Sequence, residues 1–157
     1  MATGVTSNKI FSNHAIKLFD HDPGASSAVV VSGDGGTTKN YLSCFGYENF
    51  SVDAMNSVST SSSGPTLVEI IAATDSSGTN ATAIITSGTV ASVTVGDNIH
   101  VECTAEQINE VGKAASLNFT HFTGRITCSN SGDECVVLLG RWNSKAPASG
   151  LTANNIT

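Results

Sequence analysis

The chain has 157 residues, enough for one domain with a sizeable core. Only 13% are charged, the net charge is −6 at pH 7, and 67 of the 157 residues are Ser, Thr, Gly or Asn. With 39% apolar residues the chain is not disordered by composition, and its seven cations (Lys9, Lys17, Lys39, Lys113, Arg125, Arg141, Lys145) are too scattered for direct nucleic-acid binding, which needs a clustered basic surface.

Residues 1–27 open the chain. Ile10, Phe11, Ile16, Leu18 and Phe19 follow neither the helical nor the strand period. They predict an extended arm that packs on something, because such a segment is not stable in water alone. The segment lacks a basic start followed by an apolar core, so it does not read as a secretion signal. No apolar run approaches the ~20 residues of a membrane span. The chain is expected to be made in a cytoplasm, where thiols stay reduced by default. Asp20-His21-Asp22 could offer oxygen and nitrogen to a cation. It lacks the further oxygens of a calcium loop, and DHDPG at 20–24 reads as a turn.

SAVVVSG (27–33) predicts a strand, closed by the Asp-Gly turn at 34–36. VVVSGDGGT looks like a phosphate loop, but TTKNYLSCF after it is a poor helix, so the hairpin turn is preferred. A second strand is predicted through 40–52, with Tyr41, Phe45 and Tyr47 on one face. Ser-rich 53–66 predicts a loop. Strands follow at 66–74, 81–87 and 89–95, the last with Val93 and Val95 on one face. IHVECTA (99–105) alternates, with Ile99, Val101 and Cys103 inward and His100 and Glu102 outward.

Thr104-Ala-Glu-Gln107 is a capping box, and Gly112 is a natural stop, so a short helix is predicted over 105–111. A long strand then runs through 115–129, with a phase change near His121 that implies a bulge or bend. CVVLLGRW (135–142) is apolar on both phases and predicts a strand covered on both faces. The whole reads as all-β: an antiparallel sandwich or barrel of about eight strands, jelly-roll-like or immunoglobulin-like. The expected divisions are an arm (1–27), a β domain (28–145) and a tail (146–157).

CSNSGDEC (128–135) places turn formers between Cys128 and Cys135. Across a hairpin these cysteines would stand about 4.5–5.5 Å apart, within disulfide range. A zinc clip would need closer spacing and two further ligands. The reading is a hairpin first, with Cys128–Cys135 available as a late disulfide staple. Neither His100 nor His121 comes with a nucleophile signature, and no carboxylate pair stands out. No catalytic residue, metal or cofactor is expected, and the chain does not read as an enzyme.

The leaderless acidic chain, the arm MATGVTSNKIFSNHAIKLFDHDPG, the Ser/Thr/Gly-rich β body from Ser27 to Trp142 and the short polar tail together resemble, in type, the head-decoration (cement) proteins of tailed bacteriophages. The resemblance is loose over the whole length, and no single motif carries it. It implies a β-rich homotrimer, seated at local symmetry axes of a virion assembled in the host cytoplasm. There it would clamp neighbouring major capsid proteins and stabilise the capsid. It offers no catalytic residues. It points to Ile10, Phe11, Ile16, Leu18 and Phe19 as capsid contacts. Tyr41, Phe45 and Tyr47, a strand face, suit the core or a subunit interface. Four cysteines depart from the type. The alternative is a β-sandwich adhesin or fibre-type module that binds glycan or protein.

Overall fold

The computed structural model describes residues 14–22, 28–32, 39–60, 64–91 and 93–143. Among these run nine strands and one helix: β1 (His14–His21), β2 (Ala28–Val30), β3 (Leu42–Ser43), β4 (Asn49–Val58), β5 (Pro65–Ala73), β6 (Thr82–Thr86), β7 (Asn98–Thr104), α1 (Ala105–Ala115), β8 (His121–Cys128) and β9 (Glu134–Trp142).

Every strand pair is antiparallel, and four sets of pairs are nested. β5 pairs β6, β4 pairs β7, β2 and β3 pair β8, and β1 pairs β9. The chain is therefore one long ribbon doubled back at the turn after β5. Rolling that ribbon brings β9 beside β4 and β8 beside β5. Two sheets result, ordered β1-β9-β4-β7 and β2-β8-β5-β6, with β3 beside β2 on the same edge of β8. This is a jelly roll. In the immunoglobulin order the first strand pairs the second; here it pairs the last.

The interior follows from alternation. β4 points Phe50, Val52 and Ala54 inward, β9 points Val137 and Leu139, β5 points Val68 and Ile70, and β8 points Phe122 and Ile126. Phe50 and Phe122 meet across the two sheets with ring centroids 4.8 Å apart. A smaller cluster of Tyr41, Ile71 and Ala73, with Val30 against it, lies on the other face of β5. β7 alternates as its sequence predicts, with Ile99, Val101 and Cys103 buried and His100 and Glu102 exposed.

Several expectations are corrected. Residues 14–21, expected to pack as part of an extended arm, fold back on this chain as β1 at the edge of the first sheet, and Phe19 is a core residue. The segment 40–52 is not one strand. Gly46 adopts φ +82°, Tyr47 N–H donates to the Cys44 carbonyl, and the chain turns before β4 enters the other sheet. Tyr41, Phe45 and Tyr47 therefore share no strand face. Most of the loop expected at 53–66 is strand. Ser and Asn obscured the alternation there, because buried Asn56 holds an inward position by donating from Nδ2 to the Val93 carbonyl at 3.1 Å.

The segment 89–95 forms no strand among its described residues, and Val93 is buried while Val95 is exposed. β8 begins only at His121, so the long strand expected from 115 is shorter, and the phase change falls on the irregular residues 117–120 that lead into it. β9 is covered on one face, with Leu138 outward. The capping box is present, but Gly112 does not end α1. Ser116 caps it at φ 56°, and Gly112 lets the returning chain close in: an added Cβ would lie 2.8 Å from the Leu117 carbonyl oxygen. The turn expected at 34–36 and the tail from residue 144 onward lie outside the described residues.

Candidate functional site

The outward face of the sheet β1-β9-β4-β7 brings Leu18, Leu138, Val136 and Met55 together in a stripe. Cross-strand register makes one row of Leu18, Leu138, Asp53 and His100, and the next of Asp20, Val136, Met55 and Asn98. Leu18 is 62% exposed, Met55 41% and Leu138 38%, with Val136 half-buried between them. Single exposed apolar residues are ordinary, whereas a contiguous apolar set bounded by polar residues is a candidate interaction surface. β1 lies at the end of the strand order, yet its edge is poorly suited to pairing. Lys17 sits on the inward phase, 4.9 Å over the Phe19 ring, and donates to Asn40 Oδ1 at 3.3 Å. An inward charge on an edge strand discourages added strands, so the face is the better surface.

A charged cluster flanks the stripe. His100 Nδ1 stands 2.6 Å from Asp53 Oδ1, and its Nε2 stands 3.6 Å from Glu102 Oε2. The hydrogen bond to Asp53 raises the His100 pKa above 6.5; partial burial opposes this, and the two carboxylate charges add to it. A raised folded-state pKa stabilises the fold below the unfolded value and loses that contribution as pH rises through the folded one. The His100 ring signals in NMR should therefore titrate above pH 6.5, and the Asp53→Asn variant should bring the midpoint down. An unchanged midpoint in that variant would show that the 2.6 Å contact does not form in solution.

A cleft of about 440 Å³ opens at one end of the sandwich, lined by Cys44, Phe45, Phe50, Ile108, Asn118 and Phe119 among others. Phe45 stands at its rim, 91% exposed. Its loop is held by Arg141, whose guanidinium lies 4.5 Å over the Tyr47 ring and donates to the Ser43 carbonyl. Burial pushes the Cys44 and Cys103 thiols up to about 12, so neither is a nucleophile at neutral pH. Thr120 Oγ1 donates to the Thr74 carbonyl at 2.7 Å and accepts from His121 Nδ1 at 2.9 Å.

Of the contacts expected on the arm, Leu18 is in the stripe and Phe19 is removed to the core. Ile16 enters only as a backbone position of β1, and Ile10 and Phe11 lie outside the described residues. Tyr41 is buried in the smaller cluster, so it is not free for a subunit interface; Tyr47 is half-buried and Phe45 exposed. Asp20 and Asp22 are exposed while His21 is buried, so the three do not converge on a cation. Among the described residues no group of three His, Cys, Asp or Glu side chains could hold a metal.

Cys128 and Cys135 do come together, their sulfurs 3.9 Å apart, but not as hairpin neighbours, because β8 and β9 belong to different sheets. Sequence reasoning missed Met55, Val136 and Leu138; the signal was the apolar run on both phases of β9. Compared with known proteins, the chain matches no family model, no curated protein and no solved structure.

Proposed function

We propose that the chain is a structural virion protein that seats on the outside of a phage capsid as a homotrimer and clamps neighbouring major capsid proteins. The apolar stripe of Leu18, Val136, Leu138 and Met55 carries this reading. It is an outward sheet face flanked by Asp53, His100 and Glu102, which supply orientation. One such face binds weakly. Three, fixed by trimer symmetry against a repeating lattice, bind tightly because the later contacts are intramolecular. Jelly rolls serve in both viral capsid and lectin domains, so fold alone supports the reading only by analogy.

The test is co-sedimentation with capsids of the phage that encodes the chain, together with mass in solution. The wild-type protein should run as a trimer and pellet with capsids. The Leu18→Asp/Leu138→Asp variant should keep the β-sheet circular dichroism and lose most of its binding. A strict monomer that ignores capsids would overturn the proposal, as would full decoration by the double variant. The adhesin reading draws on Phe45 at the cleft rim. Glycan-array binding that disappears in Phe45→Ala would favour it instead.

A further inference from the structure

Cys128 ends β8 and Cys135 stands second in β9. Their backbone partners lie in different sheets: Cys128 faces Pro65, while Cys135 faces His21 and Asn56. The side chains therefore meet through the interior, with the sulfurs 3.9 Å apart and the two residues 1% and 0% exposed. Bonded sulfurs stand about 2 Å apart, so closure requires an approach of roughly 2 Å, within the reach of side-chain rotation.

The connection between the strands is already pinned. Buried Asp133 accepts from the Asn130 N–H at 3.0 Å and from the Thr60 N–H and hydroxyl at 2.9 and 3.1 Å. The two cysteines are thus held facing each other before any bond forms, at a corner where the ribbon passes from one sheet to the other.

We propose that Cys128 and Cys135 form a redox pair that closes to an inter-sheet disulfide by exchange with a low-molecular-weight disulfide such as oxidised glutathione. The Cys128 thiolate attacks one sulfur of the oxidant. The oxidant's S–S bond breaks, one thiolate leaves, and a mixed disulfide forms on Cys128. Cys135 then loses its proton and attacks Cys128 Sγ, displacing the second thiolate. Two protein thiols are oxidised, one small disulfide is reduced to two thiols, and the two protons go with the leaving groups. Cys128 is the attacking member because the hydrogen bond from Cys135 stabilises its thiolate, against the effect of burial; the same bond and burial raise the Cys135 pKa.

Both sulfurs are buried, so closure is slower than for an exposed thiol. The finished bond is shielded from reductants by the same burial. Its effect is to lock the rolled ribbon shut after folding, whatever the outer face binds.

The full-length protein, reduced and folded, is incubated with oxidised glutathione. Its intact mass should fall by two hydrogens with no lasting glutathione adduct. Alkylation under denaturing conditions should then label two of the four thiols that are free in the reduced chain. Peptide mapping should join Cys128 to Cys135, and the melting temperature should rise by roughly 5 °C. Cys135→Ser should abolish the mass change; if that variant fails to fold, the wild-type peptide map decides alone. The proposal is overturned by four labelled thiols after prolonged exchange, by a stable glutathione adduct on Cys128, or by a cross-link joining Cys44 to Cys103.

Discussion

Replacing Phe122 by alanine should lower stability by about 3–5 kcal/mol, the usual cost of emptying a fully buried aromatic site. Phe122 is fully buried, sits on the interior face of β8 and meets Phe50, also fully buried, across the sandwich. Both rings rise from strands flanked by hydrogen-bonded neighbours, with Phe122 opposite Leu42 and Ala72 and Phe50 opposite Cys103 and Arg141. The backbones on either side are therefore fixed, and the hole cannot collapse. At roughly 2–4 °C per kcal/mol for a chain of this size, the melting temperature should fall by about 10 °C. Phe122→Leu keeps most of the volume and should lose less than half as much. Urea unfolding followed by circular dichroism measures both. A loss below about 1 kcal/mol for the alanine variant would mean that the sheets close over the gap.

The second large effect concerns Glu69 and Arg125, cross-strand partners on β5 and β8. Arg125 donates from Nε to Glu69 Oε2 at 2.6 Å and from Nη2 to Oε1 at 3.0 Å, a bidentate pair. The Glu69 side chain is 10% exposed and that of Arg125 33%. Arg125→Met strands a nearly buried carboxylate and should cost about 2–3 kcal/mol, below the range for a fully buried pair because the guanidinium is partly solvated. Replacing both, as Glu69→Leu/Arg125→Met, should return to within about 1 kcal/mol of the wild type, since the desolvation penalty disappears along with the attraction. A double-mutant cycle checks this. A double variant as unstable as Arg125→Met would assign the loss to the arginine's packing rather than to the stranded charge.

The elements that the sequence placed well are those whose local signals agreed. β7 alternates without interruption, the Thr104–Gln107 capping box set the start of α1, and the apolar runs of β5 and β9 were placed to within a residue or so. The errors came where composition and environment diverge. Asn56 is buried in β4, so the Ser- and Asn-bearing second half of that strand, residues 53–58, read as loop. Gly112 read as a stop because a helix-ending glycine and a close-contact glycine look alike in sequence. The stripe was missed for a related reason: Leu138 and Val136 have the chemistry of core residues, and only their side of the sheet puts them in solvent.

Sequence by itself determined the all-β class, the alternating faces of the clearest strands and the capped helix, because these depend on a residue and its near neighbours in the chain. The tertiary structure alone decided that the strands nest as a jelly roll, that residues 14–21 join the sheet through β9, that Phe45 stands at a cleft rim and that Leu18 lies beside Leu138. It also brought Cys128 and Cys135 together through the interior rather than along a hairpin. Each of these rests on pairing between distant segments, and on which of two chemically similar faces the rolled ribbon turns towards water.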